Sequence, residues 1–359
     1  MPFENDRDIE RIGPSKRRII FVAIIGTGIV LAAILAAFFV RKYQERSKFL
    51  EREARTLRLS IITDIDHCPS REAVSLDNLN KFLSYANETN SDAVASLGDN
   101  ASHRLRDCSE TADQDVWFVL DKLRSSGKLL LSVLGDHDIS SNKESYFSFL
   151  SASKRDRAFY SWDMKGVHII VLDTVLGGET MSSPCDEVDK CRTLKVRLSN
   201  LKKLSFLVYK ESYGDAKADL KQEREFLASA LAAEEAAISL TRSTSIRDRG
   251  RVSETEIEWL KKELENTSAS KILVLSDHPL FVTKGLHRDY NTTNGDKVRD
   301  ILEESGKQVV CISGEAHMWQ EEAINGVQYY IVDEFKKNNG SWAFFLWNDE
   351  GYKLDKVSH

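Results

Sequence analysis

The chain is poor in the patterns that several function classes require. Its five cysteines show no CxxC or zinc-ribbon spacing, which excludes a zinc ribbon. No GxSxG turn and no GxxxxGK[ST] loop occurs, which removes serine-elbow hydrolases and P-loop nucleotide hydrolases. Internal repeats and low-complexity tracts are missing. So is a basic bulk: residues 1–58 carry 12 basic and 7 acidic side chains, leaving 38 basic and 49 acidic for the remainder. A domain this acidic is not expected to take nucleic acid as its main partner.

What the sequence has instead begins near its N-terminus. Residues 19–40, IIFVAIIGTGIVLAAILAAFFV, run without a charge between Lys16-Arg17-Arg18 and Arg41-Lys42. As a helix they would extend about 33 Å, the thickness of a bilayer core. A cleaved signal peptide is a poor fit, because large residues, Phe38-Phe39-Val40, run straight into Arg41 where a small-residue cleavage site would stand. The reading is a tail over 1–18, a single transmembrane helix over 19–40 and a charged helical stalk over 41–56. Lys and Arg are dense on both sides of the span, and the short tail with Lys16-Arg17-Arg18 favours an extracytoplasmic C-terminal domain.

Cys311, in the apolar run VVCIS, reads as a buried thiol. The other four cysteines would form two pairs in an oxidising compartment, most simply Cys185 with Cys191 and Cys68 with Cys108; three connectivities remain open, and in a cytosolic domain the four would be free thiols. Five Asn-x-Ser/Thr sequons, at Asn87, Asn100, Asn266, Asn291 and Asn339, bear on a eukaryotic secretory setting only.

From residue 57 onward, six short apolar runs alternate with helix-like segments: 57–63, 93–98, 128–135, 167–173, 271–276 and 307–314. Runs of this length, rich in Ile, Val and Leu, predict strands buried on both faces in an α/β domain over 57–359. VQYYIVDEF and SWAFFLWN, joined by the turn-like KKNNG, predict a hairpin. Residues 178–250 interrupt the pattern, with helical spacing over about 193–212 and 216–241, and read as an inserted helical hairpin. This insertion is a candidate surface for a partner or for oligomer formation.

Five of the six runs end in Asp, Glu or His: Asp64-Ile65-Asp66-His67, Gly98-Asp99-Asn100, Gly135-Asp136-His137-Asp138, Ser276-Asp277-His278-Pro279 and Gly314-Glu315-Ala316-His317. In open α/β sheets functional groups gather beyond the carboxyl ends of strands. Carboxylates and imidazoles converging there would repel unless cations neutralise them, and a mixed oxygen and nitrogen set suits divalent metals. Two ions about 4 Å apart clamp the attacking and leaving oxygens of a displacement at phosphorus.

This ordered set of motifs resembles the calcineurin-like metallophosphoesterases over about residues 57–350, the insertion apart. The resemblance implies a four-layer α/β/β/α sandwich and a dinuclear centre that hydrolyses phosphomonoesters or phosphodiesters with a bridging hydroxide as nucleophile. It assigns Asp64, Asp66 and His317 to one ion, Asp136, His278 and Glu315 to the other, and Asp99 to both. His137 becomes the general acid or phosphoryl contact, with Asp138 fixing its tautomer. Three positions depart from the pattern: Asp66 replaces a His, Asp136 an Asn and Glu315 a His. A one-residue slip would instead make His67 the ligand. The oxygen-rich set shifts the expected metals towards Mn²⁺, Mg²⁺ or Ca²⁺, or towards iron.

Asn100, Arg104, His287 and Arg288 are the candidate substrate contacts; His168, inside a strand, reads as structural. Two functions follow: a membrane-anchored phosphoesterase acting on a phosphorylated small molecule, lipid or protein, or a metal-binding relative without hydrolysis that serves as a scaffold.

Overall fold

The structure, a computed structural model, describes residues 14–68, 72–102, 112–139, 143–175, 250–281, 290–335 and 340–358. The chain divides into two units, Met1–Arg55 and Thr56–His359.

The described part of the first unit is one helix, α1 (Pro14–Arg55), which joins the apolar segment to the stalk without a break. Leu31, Ile34, Leu35, Phe38, Phe39 and Val40 are exposed along it, and Arg41 and Glu45 pair one turn apart in the stalk. Side chains at 14–30, 32 and 33 lie outside the described set. Among the described residues no helix is long and apolar enough to cross a membrane.

In the second unit the elements run β1 (Leu57–Ile62), α2 (Glu72–Glu88), β2 (Ala93–Ser96), α3 (Ala112–Arg124), β3 (Leu129–Ser132), α4 (Lys143–Ser153), β4 (Tyr160–Met164) and β5 (Val167–Val171), then α5 (Glu254–Asn266), β6 (Lys271–Ser276), α6 (Gly295–Glu304), β7 (Gln308–Ser313), β8 (Gln320–Ile324), β9 (Val327–Ile331), β10 (Ser341–Asn348) and β11 (Gly351–Ser358). They build two mixed sheets, ordered β11-β10-β1-β2-β3 and β4-β5-β6-β7-β9-β8. All six expected apolar runs are strands.

Alternation along those strands makes the layers. Leu57, Leu59 and Ile61 of β1 meet Leu273 and Leu275 of β6 and Val310 and Ile312 of β7 in one core between the sheets. The intervening residues of the second sheet, Ile272, Val274, Val309 and Cys311, face the opposite way and pack on Ile257, Leu260 and Leu264 of α5 and Val298 and Leu302 of α6. On the far side, Ile62, Val94 and Trp342 pack on α2, α3 and α4 through Phe82, Val116, Val119, Leu120 and Phe149. Period-two strands between helices with one apolar stripe give this four-layer α/β/β/α arrangement. Helix α5 starts where Ser253 accepts a hydrogen bond from Glu256 N, and the Glu256 carboxylate accepts from Asp173 N in the neighbouring layer.

The expected hairpin across KKNNG does not form. Strand β9 pairs with β7 and β8 in the second sheet, whereas β10 pairs with β1 and β11 in the first. A polar loop signal marks where a chain turns, not which sheet it enters next. Cys311 is a buried free thiol, as expected, and burial pushes its pKa up. Cys68 is disulfide-bonded; its partner, among Cys108, Cys185 and Cys191, lies outside the described residues, as do 176–249 of the helical insertion.

Candidate metal centre

Parallel pairing brings the strand ends to one level. Ile62 stands opposite Ser96 and Ser96 opposite Ser132, while Ser276 stands opposite Ser313 in the other sheet. The loops that follow are stitched together: Asp66 N donates to Asp99 O (2.8 Å), His67 N to Asn100 O (2.9 Å) and Gly314 N to Asp277 O (3.0 Å). Thr63 Oγ1 donates to Asp64 Oδ2 at 2.7 Å.

The loops adopt an unusual backbone. Asp64, Asp66, Asp99, Glu315 and His317 all have φ between 45° and 58°, a region that non-glycine residues seldom enter. Each such residue costs on the order of 1–2 kcal/mol. Five together at the carboxyl edges of the two sheets point to a constraint from function rather than from folding. Glycines complete the packing: a Cβ on Gly314 would collide with Thr63 Oγ1, and one on Gly135 with the backbone and carboxylate of Asp99.

Four groups of possible ligand atoms result, each with its atoms within 4.8 Å of one another: Asp64, Glu315 and His317; Asp66, Asp99 and His137; Asp136, His278 and Glu315; and Asp99, Asp136, Asp277 and Glu315. Asp99, Asp136 and Glu315 recur, so all three are placed to be shared. His317 Nε2 lies 2.8 Å from Asp64 Oδ1, yet neither atom has a hydrogen-bond partner, because the two do not meet in bonding geometry. Asp99 Oδ2 is likewise unpartnered and buried. Lone pairs aimed at one another inside a buried cluster fit a cation between them.

Electrostatics agree. Burial, then repulsion from neighbouring carboxylates, pushes the Asp99, Asp277 and Glu315 carboxyls well above their usual range; in Asp99 the nearby His137 partly opposes this. Burial alone would lower the His137 imidazole, but Asp99, the hydrogen bond to Asp66, and Asp136 push it up to about 10.

The candidate set is therefore brought together, with changes of role. Asp138 does not support His137. Its two oxygens accept from Asn100 N (2.7 Å), Ala101 N (3.2 Å), Asn100 Nδ2 (3.0 Å) and Gly135 N (3.0 Å), which ties the Asp99 loop to the His137 loop. The partner of His137 is Asp66, whose Oδ1 lies 2.8 Å from Nδ1, with Asp99 Oδ2 at 3.6 Å. Asn100 is not a substrate contact: it is fully buried, its Oδ1 accepting from Ser96 Oγ and its Nδ2 donating to Asp138. His67 stacks on Phe118 of α3 and belongs to none of the four groups, whereas Asp66 belongs to one of them. His168 is buried in β5, with Nδ1 2.7 Å from Asp163 Oδ1, as its structural reading expects. Arg104, His287 and Arg288 lie outside the described residues.

Two residues escaped the motif reading. Thr174 Oγ1 accepts from His278 N (3.1 Å) and lies 3.0 Å from Nδ1, fixing that ring. Asp277, at the end of β6, enters the cluster itself; its place in a strand-end run beside His278 was the signal.

No family model and no curated protein matches this sequence. Among solved structures, a dimetal phosphatase from Danio rerio matches with a TM-score of 0.56 and 15% identity, over 84% of this chain and 98% of that chain. GAP50, the anchor in the inner membrane complex of Plasmodium, matches with a TM-score of 0.48 and 13% identity, over 84% of each chain. The first of these likenesses shows the fold: this chain has the two-sheet sandwich of a dimetal phosphatase.

Proposed function

We propose that the chain is a metal-dependent phosphoester hydrolase held at a membrane by α1. The observation that carries this reading is the cluster of buried, unpartnered ligand atoms at the carboxyl edges of both sheets. Two ions would be held by Asp64, Asp136, His278 and His317 with Asp99 and Glu315 between them. When bound, they supply Lewis acidity towards a phosphoryl oxygen and lower the pKa of water.

The chain's own residues do the rest. The His137 side chain is 17% accessible, against 2% for His278 and 21% for His317, so it can be reached from solvent. Its Nδ1–H donates to Asp66, so in the imidazolium the proton on Nε2, 3.8 Å from Asp136 Oδ1, is the one left to pass to a leaving-group oxygen. The backbone N–H of His137 donates to Asp99 Oδ1 at 2.9 Å, which fixes the ring relative to the shared carboxylate. The carboxylate-rich set favours Mn²⁺, Mg²⁺, Ca²⁺ or iron over softer ions.

The six exposed apolar side chains on α1 support a membrane anchor, and the disulfide at Cys68 supports an oxidising, extracytoplasmic setting. Substrate is then a phosphorylated small molecule, lipid or protein close to the bilayer, with the segment 193–241 available to partners. A second reading, a metal-loaded scaffold without turnover, draws on the number of carboxylates, since each one weakens the attraction of the site for phosphate.

Hydrolysis of bis-p-nitrophenyl phosphate with Mn²⁺ separates the two. Turnover that falls about 10²-fold or more in His137→Ala and in Asp99→Ala is expected. A protein that binds Mn²⁺ and hydrolyses neither this diester nor p-nitrophenyl phosphate would establish the scaffold instead. Resistance of the full chain to alkaline carbonate extraction tests the anchor.

A further inference from the structure

We propose that Asp277 is a shared ligand of the metal centre and the residue that biases it towards hard cations. This rests on the reading of the cluster as a metal site but not on turnover. Its carboxylate comes from the end of β6, where Gly314 N holds the Asp277 carbonyl and fixes the direction of the chain. The side chain is completely buried, and neither Oδ1 nor Oδ2 has a hydrogen-bond partner. Oδ2 lies 3.1 Å from His278 Nδ1, but that nitrogen is engaged by Thr174 Oγ1 and the pair is not in bonding geometry. What Asp277 faces is Asp99, Asp136 and Glu315, all with ligand atoms within 4.8 Å.

A buried carboxyl with no partner is costly in either protonation state. The ionised form is desolvated and repelled, and the neutral form leaves an O–H donor unsatisfied. A cation among the four carboxylates removes both costs at once. The space for Asp277 is also built: Gly98, at φ +115°, stands where a Cβ would strike Asp277 Oδ1. With Asp64, Asp66, Asp99, Asp136 and Glu315, Asp277 makes six carboxylates around the centre. Each oxygen donor added at an ion's coordination sphere moves the balance away from zinc and towards manganese, magnesium or calcium.

The experiment uses the full chain, stripped of metal and dialysed against equal Mn²⁺ and Zn²⁺, with bound metal counted by mass spectrometry. Asp277→Asn keeps the shape and removes the charge. It is expected to weaken Mn²⁺ binding about tenfold or more and to shift the bound ratio towards Zn²⁺. Unchanged affinity and ratio in a folded variant would overturn the proposal, even if the variant raised the melting temperature, because Asp277 would then be only a buried acid. Should the variant not fold, crystals of the wild type soaked in Mn²⁺ decide: an anomalous peak within about 2.6 Å of an Asp277 oxygen supports it, and peaks at the other carboxylates with none at Asp277 overturn it. Metal is counted without substrate, so an inert protein that passes this test would remove the hydrolase reading alone.

Discussion

Asp66 Oδ1 and His137 Nδ1 stand 2.8 Å apart, joining the first strand-end loop to the third across 71 residues of chain. The carboxylate that replaces an imidazole in the resembled pattern thus pairs with His137, and Glu315 stands with Asp64 and His317 in a group that could hold an ion.

Asp66→Asn should therefore act on the acid more than on metal content. Removing the Asp66 charge lowers the His137 pKa, so the alkaline limb of the rate profile moves to lower pH, and kcat falls about 10- to 100-fold. A pH series from about 6 to about 11 with the metal count of each sample checks this; loss of an ion with an unmoved alkaline limb would make Asp66 a ligand instead.

Metal-free protein should lose stability as pH rises. Asp99, Asp277 and Glu315 have folded pKa values above their unfolded ones, so their contribution is complete below about pH 4 and is lost as pH climbs through the folded values. His137, raised to about 10, has the same sign and loses its contribution as pH climbs from about 6.5 through that value. The midpoint of the EDTA-treated protein should drop by about 5 °C or more between pH 5.5 and 8.5. Added Mn²⁺ should abolish the slope. A metal-free midpoint that rises over this interval would contradict the arrangement.

Asp138 is a tie between loops, so its loss should appear in stability. Asp138→Ala leaves the amides of Asn100, Ala101 and Gly135 without their acceptor and should cost about 2–4 kcal/mol in urea unfolding. Asp138→Asn should cost less, because one acceptor oxygen remains. Were Asp138 the support of His137 instead, both variants would change the rate and leave the urea midpoint in place.

Gly98→Ala meets two obstacles, the left-handed side of backbone space and the Asp277 carboxylate. A loss of about 2 kcal/mol or more is expected. Gly127→Ala serves as the comparison: it has φ +72° but nothing within 4 Å, and should cost only the backbone strain.

Much of the sandwich is legible in the sequence because its central strands are buried on both faces and write themselves as uninterrupted Ile, Val and Leu. The carboxylates and imidazoles at their ends are equally plain. What sequence order hides is direction. Asp138 follows His137 but points away from it, Asp66 is remote yet touches it, and Asp277 is overshadowed by its neighbour His278. The KKNNG segment misleads for a related reason, since local turn chemistry says nothing about the distant partner that Phe345 finds in Leu59.

That partner is very distant. Leu57 pairs with Trp347, so the first strand of the domain is closed on one side by nearly the last. A nascent chain must hold β1 without β10 until nearly all of the domain's strands have been made, and loop closure over such a separation is slow. The centre at the strand ends consequently assembles late, and a chain cut short before Ser341 would be left with an open edge at β1 rather than a smaller working domain.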